Sequence, residues 1–107
     1  MAQGFTSPNA RANLATFTAL RFTVATAGTP VQLSNTPVPD GFDALVKMDT
    51  GQSGSVFVAN SSANALLAAN RWELKKGDAV SLGVNNLNAI WINSTNNNRD
   101  VFVIFES

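Results

Sequence analysis

Neither cysteine nor histidine occurs anywhere in the chain. Without cysteine there is no disulfide and no thiolate site, and the redox compartment leaves no mark on the sequence. Without histidine the usual metal ligand and the usual general base near neutral pH are both missing. Ser-His-Asp and Cys-His nucleophilic machinery is therefore excluded. Charge is also scarce, at 13% of residues against about 25% in ordinary globular domains. Seven basic side chains balance seven acidic ones. Such a chain has no basic footprint for displacing counterions from nucleic acid, and no polybasic segment for an anionic membrane surface. No stretch approaches the roughly 20 apolar residues of a membrane span. The opening MAQGFTSPNAR lacks the basic start and apolar centre of a secretory signal. We therefore expect no nucleic-acid partner and no membrane partner.

What the chain does have is apolar and small polar material. Its 107 residues are 45% hydrophobic, enough for one domain with a real core and too few for two. The polar remainder is rich in Asn, Ser and Thr, which favour turns and strand edges over helix interiors. A surface with so few charges sits more comfortably inside an assembly than around a free monomer.

Residues 1–15 differ from the rest and read as an N-terminal arm. Ser7-Pro8-Asn9 suits one helical turn, with Ser7 capping and Pro8 in the first position, but no amphipathic stripe follows it. From residue 16 to 107 the pattern is short strands separated by turn chemistry. Thr16 to Ala25 is rich in Thr, Phe and Val, with Phe22 and Val24 on one face, and its alternation slips near Ala19-Leu20, which predicts a bulge there. Val31 to Leu33, Ala44 to Met48, Ser55 to Ala59, Arg71 to Leu74, Val80 to Val84, Ala89 to Asn93 and Val101 to Phe105 supply the other strands. Pro37 and Pro39 mark a loop. Lys75-Lys76-Gly77-Asp78 marks a tight turn that needs Gly77 at positive φ. Residues 60–70, NSSANALLAAN, fit a helical turn or a long polar loop, the loop being slightly preferred. About eight strands at regular spacing, with no crossover helices, predict an all-β fold: an antiparallel β-sandwich, jelly-roll-like.

A sandwich strand hides one face and wets the other. Val80-Ser81-Leu82-Gly83-Val84 obeys this rule, but other strands carry apolar residues on both faces. Phe102 and Ile104 alternate with Val101, Val103 and Phe105; Trp91 alternates with Ile90 and Ile92; Phe57 alternates with Val56 and Val58. If these strands are neighbours, Phe57, Trp91, Phe102 and Ile104 form a second apolar layer outside the core. Such a layer marks a subunit interface, or else lies under the arm or the 60–70 segment of the same chain.

Chemistry has little to work with. Lys75 and Lys76 stand in a turn, where solvated lysines are the ordinary outcome. Asp40, Asp43, Asp49, Asp78 and Asp100 fall at or near turns, where Asp caps the backbone. Asp40 and Asp43 with loop carbonyls suit a hard cation, but no EF-hand or repeat spacing accompanies them. Asn60-Ser61-Ser62 and Asn93-Ser94-Thr95 match the glycosylation sequon, as expected by chance in so Asn-rich a chain. Trp72 and Trp91 suit sugar stacking, although packing is the commoner role of tryptophan. No catalytic residue, metal site or cofactor is expected, and the chain reads as no enzyme.

From Ala25 onward an ordered set of short signals appears: "ATAGTPVQLS", "ALVKMDTGQSGSVFVANSS", "WELKKGDAVSLGVNNLNAIWINST" and "DVFVIFE". This series resembles small β-sandwich virion proteins of tailed phages, with Leu74, Gly77 and Asp78 in the family's Leu, Gly and acid positions. The chain departs from that pattern at Trp72-Glu73, where a small residue is expected, and its first two dozen residues have no counterpart. The resemblance implies a capsid decoration (cement) or fibre-associated protein on the capsid exterior, with the major capsid protein as partner. It also implies a homo-oligomer, a trimer suiting the local three-fold positions of an icosahedral shell. The arm residues Phe5, Arg11 and Phe17 would then reach the lattice. The alternative is a carbohydrate- or receptor-binding module of a tail or head fibre, using Trp72 or Trp91 and the Asn loops.

Overall fold

The computed structural model describes residues 16–106. Eight strands carry the fold: β1 (Phe17–Val24), β2 (Val31–Gln32), β3 (Ala44–Met48), β4 (Ser55–Ala59), β5 (Trp72–Lys75), β6 (Ala79–Leu82), β7 (Trp91–Ser94) and β8 (Arg99–Glu106). They pair into two four-stranded sheets, β1-β8-β3-β6 and β2-β7-β4-β5, and every ladder is antiparallel. Only β4 and β5 are consecutive in sequence and in the same sheet; every other connection crosses from one sheet to the other. This order is a jelly roll, two Greek keys wrapped on each other. The expected antiparallel sandwich is therefore the fold.

The period-2 patterns decide what lies between the sheets. Ala44, Val46 and Met48 of β3 and Val101, Val103 and Phe105 of β8 are buried from the first sheet. Val56 and Val58, Leu74 and Ile92 meet them from the second. Val24, Leu33, Val38, Leu87 and Ile90 close the core at strand ends and loops. Burying one such aliphatic side chain stabilises the fold by about 1.5–3 kcal/mol. The Pro-containing loop is pinned to residues 85–87: Pro37 bridges Asn86, the Val38 N–H donates to the Asn85 carbonyl at 3.0 Å, the Leu87 N–H to the Thr36 carbonyl at 2.9 Å, and the Thr36 N–H to Asn86 Oδ1 at 3.1 Å. At the β5–β6 turn, Gly77 takes φ 79°, as its place in the sequence requires. Asp78 there accepts from the Lys75 N–H at 3.0 Å through its carboxylate.

Three local expectations are corrected. No bulge interrupts β1: its register with β8 runs residue for residue from Phe17↔Glu106 to Val24↔Arg99. Thr18, Leu20, Phe22 and Val24 face inward and Phe17 faces outward, so the apparent slip is only an exposed aromatic at the strand's start. The 60–70 segment is not a plain loop. It holds one helical turn, α1 (Ser62–Ala65), and a 3₁₀ turn at Ala68–Asn70. Ser61 caps α1 by accepting from the Asn64 N–H at 3.1 Å, and Ala65 is buried against the second sheet. Finally, β7 begins at Trp91 because Leu87–Ala89 is occupied by a 3₁₀ turn.

Candidate contact surface

The apolar layer expected from Phe57, Trp91, Phe102 and Ile104 does not exist as one layer. Strands β7 and β8 belong to different sheets. Trp91 and Phe57 lie outside the second sheet, and Phe102 and Ile104 outside the first. A period-2 pattern assigns residues to a face but says nothing about which strand lies beside which.

Outside the second sheet the apolar residues are covered by the chain itself. Phe57 is 8% exposed, with the Arg71 guanidinium 3.5 Å from its ring centroid. Such a contact contributes roughly 0.5–2 kcal/mol. Arg71 is held in place by donating from Nη1 to the Ala65 carbonyl at 3.1 Å. Asn93, opposite Phe57 in the ladder, is buried and ties two loops together. It accepts from the Gly28 N–H at 2.9 Å and donates to the Ala65 carbonyl at 3.2 Å. That second sequon is thus a structural clasp, whereas Asn60 is exposed. Trp91 is half-buried beside Gln32 and Ala59. On the same face Ser55 donates to the Glu73 carboxylate at 2.5 Å and Lys75 lies 3.4 Å from it. The Ser55 hydroxyl bond, then the Lys75 charge, holds the Glu73 carboxyl below the ordinary glutamate range.

Outside the first sheet no described element packs over the strands. Register lays this face out in rows. One row is Ala19, Ile104, Leu45 and Ser81, and the next is Arg21, Phe102, Lys47 and Ala79. Leu45 and Ile104 are each 39% exposed, and Phe17 is 63% exposed. Phe102 is half-buried under Arg21, whose guanidinium carbon is 4.8 Å from the ring centroid. A shallow depression of about 460 Å³ runs between Ala19, Arg21, Leu45, Lys47, Phe102 and Ile104. Beyond the apolar row, Glu106 pairs with Phe17, and the Asp43 carboxylate accepts from Ser81 Oγ at 3.2 Å. Beyond the basic row, Asp100 pairs with Thr23 and lies 3.6 Å from Arg21. Phe17 is therefore part of this sheet face, at the start of β1, while Phe5 and Arg11 lie outside the described residues. Leu45 and Lys47 escaped the sequence reading. The signal was present in ALVKM, where Leu45 sits on the polar side of an otherwise well-sorted strand.

A second concavity opens where β5 and β6, edge strands of opposite sheets, face each other. This cleft of about 480 Å³ is walled by Val58, Val80, Leu82, Val84 and Ile90, with Trp72 on its lip. Trp72 is 63% exposed. The Asp40–Asp43 turn borders a smaller hollow with Gly83 and Asn85, but no group of three or more His, Cys, Asp or Glu among the described residues is placed to hold a metal ion.

The fold and these surfaces define an eight-stranded jelly roll whose first sheet presents an apolar face that no described element covers. No protein-family model and no curated protein matches the sequence. Among solved structures, the chain is similar to a sugar phosphate isomerase of the cupin superfamily from Silicibacter pomeroyi, with a TM-score of 0.52 and 12% identity. The match covers 92% of this chain and 55% of that one, so the present chain spans about half the length of that protein. It is also similar to a chain from Bacillus endospore appendages, described as a novel family of disulfide-linked pili. There the TM-score is 0.49 at 17% identity, over 86% of this chain and 85% of the other. At such identities the likeness concerns the fold alone.

Proposed function

We propose that this chain is a non-enzymatic structural protein of a phage virion, a capsid decoration or cement protein that binds the major capsid lattice and stabilises the head. The observation that carries an adhesive role is the apolar face of the first sheet, centred on Ile104, Leu45 and Phe102, which no described element covers. Exposed patches of this kind mark protein contacts. The virion assignment is supported by the resemblance of residues 25–107 to small β-sandwich virion proteins. On this reading the first sheet's face meets a sister subunit, while the arm, with Phe5 and Arg11, reaches the capsid. The test is co-sedimentation of the full chain with empty phage heads. Binding that disappears when residues 1–15 are deleted supports the proposal. No binding under any salt condition sinks it.

One observation favours a second reading, a carbohydrate-binding module: Trp72 stands exposed on the lip of the β5–β6 cleft, with Asn60 and Asn70 beside it. Sugar titrations followed by tryptophan fluorescence discriminate. A saturable change that Trp72→Ala abolishes supports sugar binding, and a flat response across a glycan set removes it.

A further inference from the structure

The outer face of the first sheet carries its charges in an order that matches a rotated copy of itself. Leu45 of β3 stands two residues from Lys47 on the same strand and two from Asp43, which immediately precedes the strand. Along β8, Ile104 lies midway between Glu106 and Phe102. Along β1, Ala19 lies midway between Phe17 and Arg21. These three midpoints are register partners, forming the row Ala19, Ile104, Leu45. One side of that apolar row holds the carboxylates Asp43 and Glu106, and the other holds Arg21 and Lys47 flanking Phe102.

We infer that this face is a two-fold interface with a second copy of the same chain. The inference rests on the reading of this face as a contact surface, and on no particular partner beyond the chain itself. A two-fold axis running along the apolar row, perpendicular to the strands, lays β3 over the partner's β3 and β8 over the partner's β8, each reversed. Leu45 then meets the partner's Leu45, and Ile104 the partner's Ile104. Lys47 faces the partner's Asp43. The partner's Glu106 falls opposite Phe102, with Arg21 and Lys47 one strand away on either side, at about 4.8 Å spacing. Arg21 faces the partner's Phe17, whose exposed ring suits a cation. Face-to-face sheets cross at about 30° because of their twist, so contacts nearest the axis keep this register best.

No other axis orientation gives this match. A two-fold axis parallel to the strands sets the basic row against the basic row, and like charges set opposite one another oppose association. The size of the face bounds the strength. Four strands at about 4.8 Å spacing make a face roughly 19 Å wide, and a contact of that size falls at or below the ~1,200 Å² lower limit of standard interfaces. The pair is therefore weak as an isolated dimer and is reinforced wherever an assembly raises local concentration.

The test uses the full chain in sedimentation equilibrium over a wide concentration range. Wild type shows a reversible monomer–dimer equilibrium. Lys47→Glu sets two acidic pairs across the axis, and Asp43→Lys sets two basic ones, so each variant alone weakens dimerisation by about tenfold or more. The double variant, with both substitutions in one chain, recovers the dimer. An equimolar mixture of the two single variants also recovers it, since each contact then pairs one acid with one base. Far-UV circular dichroism confirms folding; if Asp43→Lys fails to fold through losing its Ser81 bond, Asp43→Asn replaces it. Its mixture with Lys47→Glu, which has no acid–acid contact and keeps one Lys47–Asp43 pair, must then dimerise more tightly than Lys47→Glu alone. A monomer at all concentrations, a trimer, unchanged single variants, or a mixture that does not rescue would each overturn the inference. A dimer without capsid binding overturns only the virion assignment, and capsid binding by a monomer overturns only the two-fold pairing.

Discussion

Gly54 marks the point where the β3–β4 turn lies against the β7–β8 loop. Its φ of +81° is costly for any residue with a Cβ, and a Cβ built there would meet Thr95 Oγ1 at 2.6 Å and the Asn96 side-chain oxygen more closely still. Gly28 has a similar φ of +83°, yet nothing lies within 4 Å of its missing Cβ. The two glycines separate backbone strain from collision. Gly28→Ala is expected to cost about 1–2 kcal/mol, the left-handed penalty alone. Gly54→Ala is expected to cost more, lowering Tm by at least a further ~4 °C. Thermal unfolding of the two variants side by side checks this, and equal losses would mean that the Thr95–Asn96 turn yields freely. The sequence marks both glycines as turn residues. It does not reveal the collision, which depends on a turn some forty residues away.

At the scale of elements, legibility followed periodicity. The strands declared themselves through alternating Val, Ile, Leu and Phe between Gly, Asn and Asp turns, and Val101, Val103 and Phe105 are buried as their pattern requires. Two things were hidden. One was strand adjacency, so that Trp91 and Phe102, similar in sequence context, came out on opposite sides of the molecule. The other was α1, where the apolar pair Leu66 and Leu67 drew the eye but stays half exposed, and small Ala65 is the buried residue. The pairing of β4 with β5 carries a pH dependence of its own. Glu73, opposite Phe57 in this ladder, has its carboxyl lowered by the Ser55 hydroxyl and then by Lys75. A carboxyl whose pKa is lowered on folding adds stability above the ordinary value near 4.5, and loses it as pH falls through the folded value. Glu73→Gln should therefore lower Tm near neutral pH, with the gap to wild type closing in acid. A gap that persists unchanged at the acid end would show that Glu73 acts through packing rather than charge.

At the scale of the whole molecule, both sheets lean on one core, so unfolding is expected to be a single cooperative event. Tryptophan fluorescence, reporting the second sheet through Trp72 and Trp91, and far-UV circular dichroism, reporting both sheets, should trace the same urea transition. A split of the two curves would mean that the sheets melt separately. Refolding should take milliseconds to seconds, as in other folds built on distant pairings. The order β1-β8-β3-β6 adds a consequence for biogenesis. Of the described strands the one made last, β8, is an interior strand, and among the described residues β1 has no other ladder partner. While the ribosome is still reading codons before residue 99, the first sheet has a gap at its centre and β1 waits without its β8 partner. The nascent chain cannot settle this domain piece by piece: the eight-residue β8 acts as a keystone, and a message cut short before it leaves β1 without the partner that ties it to the sheet.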